Sequence, residues 1–145
     1  MIVITDSNII FSALITPNGT IAHILKAESK LQLFAPSYLF EEVDKHLSKI
    51  EELSPLDRKQ IKAEIKTYKR LITIIETKDI PKKYYLEAYE IVIDIDFNDL
   101  FFVALNRYKH YKIWTLDNEL KRGLEQKGYN ICVTTAEIKK SLYKK

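Results

Sequence analysis

Apolar residues along this chain fall into five short runs that are separated by longer amphipathic segments. Runs of four or five residues that are rich in β-branched and other apolar side chains predict strands, and they read MIVIT, LQLFA, ITIIE, KIWT and NICVT. The stretches IVI and ITII contain almost no polar positions, which is typical of strands buried on both faces of a parallel sheet.

The segments between these runs carry apolar residues at the spacing of amphipathic helices. They read SNIIFSALI, TIAHILKAES, YLFEEVDKHLSKI, LDRKQIKAEIKTYKRL, KKYYLEAYEIV, LFFVALNRY, NELKRGLEQKG and AEIKKSLYKK. Several boundaries have their own signals: Thr20 and Ser54-Pro55 as helix starts, Pro81 before a helix, and Gly128 as a helix end. Strands that alternate with helices predict an α/β fold in layers, with a mainly parallel sheet covered on both faces.

Composition sets further bounds. The chain has 145 residues, 46% of them hydrophobic, which suffices for one core, and no repeat or linker divides it. We therefore expect a single domain over residues 1–145. A net charge of +3 permits a nucleic-acid partner without indicating one. The only cysteine, Cys132, excludes an internal disulfide and a multi-cysteine zinc site.

The N-terminus has no basic region, and its apolar stretch is too short for a signal peptide. No apolar run is long enough to span a bilayer. The sequence therefore predicts a soluble, cytoplasmic protein without a membrane partner.

Four acidic residues fall where predicted strands end or where helices begin. Asp6 directly follows the first strand, and Asp117 follows KIWT with one residue between. Glu42 lies about one turn into the helix after LQLFA, and Asp99 lies at the start of LFFVALNRY. Ligands of open parallel sheets bind outside the carboxyl ends of the strands, so we expect these four acids to converge there.

Convergent carboxylates repel one another and need a counter-charge. Mg²⁺ and Mn²⁺ are hard cations that take oxygen ligands, and they are the natural candidates here. One or two such ions can lower the pKa of a bound water and stabilise the charge that builds on a phosphodiester. This chemistry needs no His, Cys or Ser nucleophile.

Each acid also has a structural interpretation. Asp6 and Asp117 can each be the N-cap of the helix that follows, and Glu42 can be a solvated helix position beside another glutamate. Asp99 can face a helix dipole, with Asp96 as the N-cap. The basic helix DRKQIKAEIKTYKR has two interpretations as well: a surface that follows RNA phosphates, or an ordinary solvated face.

The acid-rich stretch IDIDFNDLFF imitates a calcium loop, but such a loop needs Gly where Asp99 stands and Glu where Leu105 stands. The chain also lacks G-x-x-x-x-G-K-[ST], G-x-G-x-x-G, H-E-x-x-H and G-x-S-x-G. These absences exclude the common nucleotide cradles, zinc peptidases and serine hydrolases of those motifs.

Four motifs, taken in order, resemble the PIN-domain family of small metal-dependent ribonucleases, which includes toxins of toxin–antitoxin pairs. IVITDSNIIFSAL resembles its strand, D-x-N and apolar helix, and SYLFEEV its helix with a Glu before an apolar residue. DFNDLFFVALN resembles its D-x-x-D followed by an apolar run that ends in Ala-Leu, and KIWTLDNEL its strand followed by T-x-D-x-x-L.

The resemblance implies a three-layer α/β/α fold with a five-stranded sheet in the order 3-2-1-4-5. It implies a Mg²⁺- or Mn²⁺-dependent endoribonuclease that acts on RNA, with homodimers and an antitoxin protein as expected partners. A non-catalytic PIN-like module that binds RNA or protein is the alternative. The family's catalytic and metal-binding quartet falls on Asp6, Glu42, Asp99 and Asp117. The positions that support these carboxylates fall on Asn8, Asp96 and Thr115.

Overall fold

The computed structural model describes residues 1–27 and 30–143. At its centre lies a five-stranded sheet in the order β3-β2-β1-β4-β5 in which every pairing is parallel. The strands are β1 (Ile2–Thr5), β2 (Gln32–Pro36), β3 (Ile72–Ile75), β4 (Lys112–Trp114) and β5 (Cys132–Val133). The predicted strands and the expected strand order are thus confirmed, and helices cover both faces of the sheet.

The α-helices of the described ranges pack around this sheet. They are α1 (Ser7–Ile15), α2 (Thr20–Leu25), α3 (Tyr38–Lys45), α4 (Leu47–Leu53), α5 (Arg58–Leu71), α6 (Lys82–Val92), α7 (Leu100–Lys109), α8 (Asn118–Gln126) and α9 (Thr135–Leu142). Two short 3₁₀ turns lie at Thr77–Asp79 and Phe97–Asp99. The second turn leads into α7 and carries part of the acid-rich stretch.

The core is centred on β1, β4 and the helix α7. Val3, Ile4 and Trp114 of the two central strands are fully buried, as are Val103 and Leu105 of α7. Burying each such side chain contributes roughly 1.5–3 kcal/mol to folding. The carboxyl ends of β1 and β4 are therefore held rigidly side by side.

One predicted helix is two helices in the structure. YLFEEVDKHLSKI was expected to be continuous, but α3 ends at Lys45 and α4 begins at Leu47. The apolar positions Leu39, Val43 and Leu47 keep helical spacing through the break, so periodicity alone gave no sign of it. The residue at the break, His46, has φ −104° and ψ 15°, and its ring packs edge-on against Phe11 with centroids 5.6 Å apart.

The predicted start of α5 was wrong. Ser54 ends α4 instead, and its hydroxyl donates to the carbonyl of Leu14 at 2.7 Å. Asp57 caps α5 through a capping box. The Asp57 side chain accepts from the backbone N–H of Gln60, and the Gln60 side chain accepts from the backbone N–H of Asp57. This reciprocal pair satisfies two helix donors at once, which a Ser-Pro start does not.

Glycines lie at two further helix boundaries. Gly19, not Thr20, is the N-cap of α2. Gly128 follows α8 as predicted, with a positive φ of 87° that a glycine adopts without strain. The ends of the predicted helices TIAHILKAES and AEIKKSLYKK fall on positions 28, 29, 144 and 145, which lie outside the described residues.

Within those described ranges, none of the helices has the length and apolar character needed to cross a membrane.

Candidate metal centre

A polar pocket of about 230 Å³ lies at the carboxyl ends of β1 and β4. Five carboxylates line it: Asp6, Glu42, Asp96, Asp99 and Asp117. Asp6 follows β1, Glu42 lies on α3, and Asp117 lies between β4 and α8. Asp96 and Asp99 come from the segment before α7. The structure therefore brings together the acids that the strand-end argument placed at this edge.

Asp6 and Asp117 are also helix caps. Oδ1 of Asp6 accepts from the backbone N–H of Ile9 at 3.2 Å. Oδ1 of Asp117 accepts from the backbone N–H groups of Glu119 and Leu120 at 3.0 and 3.1 Å. The capping interpretation is confirmed for both residues, yet it does not remove them from the pocket, because each cap uses one carboxylate oxygen.

The two acids of the D-x-x-D segment differ in their hydrogen bonding. Asp96 caps the 3₁₀ turn, since its Oδ1 accepts from the backbone N–H of Asn98 at 2.9 Å. Asp99 begins α7 without a side-chain capping bond. Its Oδ2 is buried and finds no hydrogen-bond partner among the described residues. A buried carboxylate oxygen without a donor needs either a proton or a cation.

Three of the carboxylates lie close enough to share one ion. Asp96, Asp99 and Asp117 each offer an oxygen, and these oxygens lie within 4.8 Å of one another. A small set of carboxylate oxygens beside open space for water is the environment that Mg²⁺ and Mn²⁺ take in proteins. The pocket thus fits a hard divalent cation.

The electrostatics of the pocket also favour a positively charged ligand. The pKa of Asp99 is raised from 3.8 to about 8, first by burial and then by the neighbouring carboxylates Asp96, Asp6, Asp117 and Glu42. The pKa of Asp6 is raised to about 6, mainly by burial, although hydrogen bonds with Thr115 and Ile9 oppose the shift. Both shifts arise because negative charge is concentrated where water is scarce.

Hydrogen bonds hold several of these acids in place. The Thr115 hydroxyl accepts from the backbone N–H of Asp117 at 3.0 Å, and Thr115 also lowers the pKa of Asp6. Asn8 lines the pocket but is exposed. Ser7 donates its hydroxyl to Oε1 of Glu42, a contact that the sequence argument missed. The only sign of this contact in the sequence was the position of Ser7 directly after Asp6, at the same sheet edge.

His46 lines the pocket as well, although the sequence contains no H-E-x-x-H motif that would have drawn attention to a histidine. It lies four residues after Glu42, which places both on the same side of the chain where α3 ends. That spacing was the available signal. Glu41, by contrast, is exposed and does not line the pocket, so Glu42 is the glutamate of the pair that faces the acids.

Asp94 lies outside this arrangement. Its carboxylate pairs with the ammonium of Lys127, which also donates to the carbonyl of Ile91 at 2.6 Å. The pKa of Asp94 is lowered, chiefly by the hydrogen bond from Lys127. The acid-rich stretch therefore divides into a surface ion pair at Asp94 and pocket residues at Asp96 and Asp99.

Comparisons with known proteins agree with the fold described above. The family model described as "PIN domain" matches residues 4–142. The chain is similar to VapBC2 from Rickettsia felis, solved bound to a promoter DNA fragment, with 16% identity, a TM-score of 0.65 and coverage of 92% of this chain and 97% of that one. It is also similar to PAE2754 from Pyrobaculum aerophilum, with 15% identity, a TM-score of 0.65 and coverage of 96% and 88%. At these identities the structures share a fold. No curated protein matches the chain.

Proposed function

Because this chain belongs to the PIN-domain family, we propose that it is a Mg²⁺- or Mn²⁺-dependent endoribonuclease. The observation that carries the proposal is the buried Oδ2 of Asp99, which lacks a hydrogen-bond partner within the described ranges while its carboxylate lies beside those of Asp96 and Asp117. Such a group, once ionised, is costly unless a cation compensates it. A structural role alone gives no reason for leaving it uncompensated.

In this proposal Asp96, Asp99 and Asp117 hold the cation directly, and Asp6 and Glu42 complete the negative lining of the pocket. When bound, the cation supplies charge neutralisation for a phosphodiester and lowers the pKa of the attacking water. Thr115 holds the backbone of Asp117 by accepting its N–H, and Ser7 orients the Glu42 carboxylate by donating its hydroxyl to it. The exposed mouth of the pocket admits a phosphodiester from solvent.

The proposal is tested by the variant Asp99→Asn, with Asp94→Asn as the matched control. Both changes remove one carboxylate from the same segment, but only Asp99 faces the pocket. Replacing residues that merely support metal ligands typically costs 10–100-fold, so we expect Asp99→Asn to lower Mg²⁺-dependent cleavage of an RNA pool by at least about 100-fold. Asp94→Asn should retain near-normal cleavage. Asp6→Asn should also abolish cleavage while the fold is kept.

Two outcomes would count against this function. Unchanged cleavage by Asp99→Asn would show that the Asp99 carboxylate takes no part in the reaction. RNA binding by the original protein without any metal-dependent cleavage would instead indicate the non-catalytic binding module. Circular dichroism of each variant separates loss of activity from loss of fold.

A partner antitoxin is the second part of the proposal. The fold is shared with the Rickettsia felis VapBC2 structure, and the motifs resemble a family that includes toxins of toxin–antitoxin pairs. A small gene immediately upstream whose product blocks RNA cleavage would support a toxin. Its absence would support a role in RNA processing.

A further inference from the structure

Helix α5 holds more positive charge than the chain as a whole. It carries six basic residues and one acidic residue, a net charge of +5, whereas the whole chain has +3. The rest of the chain is therefore net negative, at −2. Positive charge is concentrated on one element, and an average over the sequence conceals it.

The basic residues of α5 also share one side of the helix. At about 100° per residue, all six fall within an arc of roughly 120°. We call this surface the cationic face, and it consists of Arg58, Lys59, Lys62, Lys66, Lys69 and Arg70, all exposed. The buried residues of α5 lie on a different side and pack into the core: Ile61, Ile65 and Tyr68.

Most of this charge is not compensated within the described ranges of the chain. Arg58 pairs with Glu51, with Nε and Oε2 2.6 Å apart. Glu64, the acid of the helix, pairs with Lys26 instead of with its neighbours on α5. The other five basic residues of the cationic face form no ion pair with any described residue. Like charges one turn apart repel, so this face favours an anionic partner.

A groove of about 450 Å³ runs beside the cationic face. Lys62, Lys66 and Lys69 line it from α5, and Asp44 and Leu47 line the other side. The Lys69 ammonium is held 5.4 Å from the centroid of the Phe40 ring on α3. Three lysines of the cationic face therefore line one groove.

This groove and the acid pocket lie on either side of the same short segment. Glu42 and His46 line the acid pocket, whereas Asp44 and Leu47 line the groove. An RNA strand that leaves the pocket therefore reaches the cationic face by crossing the end of α3. A helix with its side chains is about 10–12 Å across, so the RNA backbone needs to cross only about one helix width.

We propose that the cationic face binds the sugar–phosphate backbone of single-stranded RNA, several nucleotides away from the phosphodiester that is cleaved. The inference rests on the proposed ribonuclease function for its choice of RNA. The face is about 18 Å long, from the 1.5 Å rise per residue, so it can contact several successive phosphates. Lysines without partners are the side chains that release counterions from such a backbone.

The test measures RNA binding in metal-free buffer, where no cleavage occurs and the acid pocket repels phosphate. The triple variant Lys62→Gln, Lys66→Gln, Lys69→Gln is compared with a control triple, Lys82→Gln, Lys139→Gln, Lys140→Gln. The control lysines are exposed, and both variants lose the same net charge. Fluorescence anisotropy of a labelled 20-nucleotide RNA is recorded over a series of NaCl concentrations.

We expect the α5 triple variant to bind RNA at least about tenfold more weakly at low salt. The slope of log affinity against log salt should become shallower by about 2, since each lost phosphate contact on a single strand changes it by about 0.7. The control triple should keep the slope of the original protein. Equal losses in both triples would reduce the effect to net charge and overturn the proposal. Unchanged binding in the α5 triple would also overturn it, as expected if the face served an acidic protein segment.

Cleavage assays with Mg²⁺ distinguish this inference from the proposed function. If the original protein cleaves RNA and the α5 triple does so with the same KM, the ribonuclease stands and the inference fails. If the original protein does not cleave but its RNA binding still depends on the α5 lysines, the inference stands and the proposed function fails. A raised KM for long RNA in the α5 triple, with kcat kept, supports both.

Discussion

The Asp99 carboxyl binds its proton more tightly in the folded chain than in the unfolded one. Its pKa rises from 3.8 to about 8, through burial first and then through the surrounding carboxylates. The resulting contribution to the free energy of unfolding is fully present below the unfolded pKa and is lost as the pH rises through about 8. We therefore expect the unfolding midpoint of the metal-free protein to fall by a few degrees from pH 5 to pH 8, measured by calorimetry.

The matched variant for this effect is Asp99→Asn, which has no carboxyl to titrate. Its unfolding midpoint should change less with pH than that of the original protein. Mn²⁺ added at pH 8 should stabilise the original protein and have little effect on the variant, because a ligand that binds only the folded state raises its stability. The same pH dependence in both proteins would show that Asp99 is not the titrating group.

The membership of the pocket was largely predictable at the scale of residues, because strand ends can be recognised in a sequence. Asp6 and Asp117 follow apolar runs, and parallel strands bring such positions to one edge. The hydrogen bond from Ser7 to Glu42 was not predictable, because it joins side chains 35 positions apart. The partnerless Oδ2 of Asp99 was also unpredictable, because burial depends on packing from several segments at once.

At the scale of elements, the hydrophobic pattern predicted which segments are helices and strands but not all of their ends. The predicted KKYYLEAYEIV coincides with α6, where Pro81 fixes the start. The break at His46 was missed because the apolar spacing continues through it. The start of α5 was misplaced because Ser54 and Asp57 are both good caps, and the tertiary bond from Ser54 to Leu14 decided between them.

Gly123 on α8 allows the Asp96 segment to pack closely. A Cβ atom at this position would lie 2.9 Å from Cδ1 and 3.0 Å from Cγ1 of Ile95, the residue before Asp96. In an exposed helix Gly→Ala gains about 1 kcal/mol, whereas overpacking costs about 1–3 kcal/mol. We expect Gly123→Ala to lower the free energy of unfolding by up to about 2 kcal/mol and to reduce cleavage by displacing Asp96. Urea denaturation and the RNA assay measure both effects.

A second substitution, Ile95→Ala, tests whether contact between Ile95 and the new Cβ causes these losses. Ile95→Ala removes the three atoms that would lie nearest to the new Cβ, so the double variant Gly123→Ala, Ile95→Ala should show less than the sum of the two separate losses. Strictly additive losses would mean that the two residues do not press on each other, and that Gly123 does not control the position of Asp96.

At the scale of the whole molecule, charge and apolar surface are separated. The cationic face lies on α5, whereas an exposed apolar stripe lies on α6 and the turn after it. The stripe consists of Leu86, Tyr89, Ile93 and Phe97, which are 59%, 44%, 52% and 55% exposed. The rings of Tyr89 and Phe97 meet edge to face, with centroids 6.1 Å apart. The helical members share one side of α6, so the stripe is a continuous surface.

We propose that this stripe contacts a second copy of the chain, one of the partners expected from the sequence. Four side chains that are about half exposed offer on the order of 400 Å² of apolar surface, the size of a functional patch and about half of what one side of a stable interface buries. A twofold axis across the stripe would pair it with itself, which closes the assembly at two copies. We therefore expect a homodimer in light scattering at micromolar concentration.

The variant Ile93→Glu should convert this dimer to a monomer, because a twofold interface would bring two new carboxylates together in an apolar setting. Leu53→Glu is the matched control, since both residues are 52% exposed and only Ile93 lies in the stripe. The control should retain the dimer mass, and both variants should keep the circular dichroism of the original protein. A monomeric original protein, or equal dissociation in both variants, would show that the stripe does not join two copies.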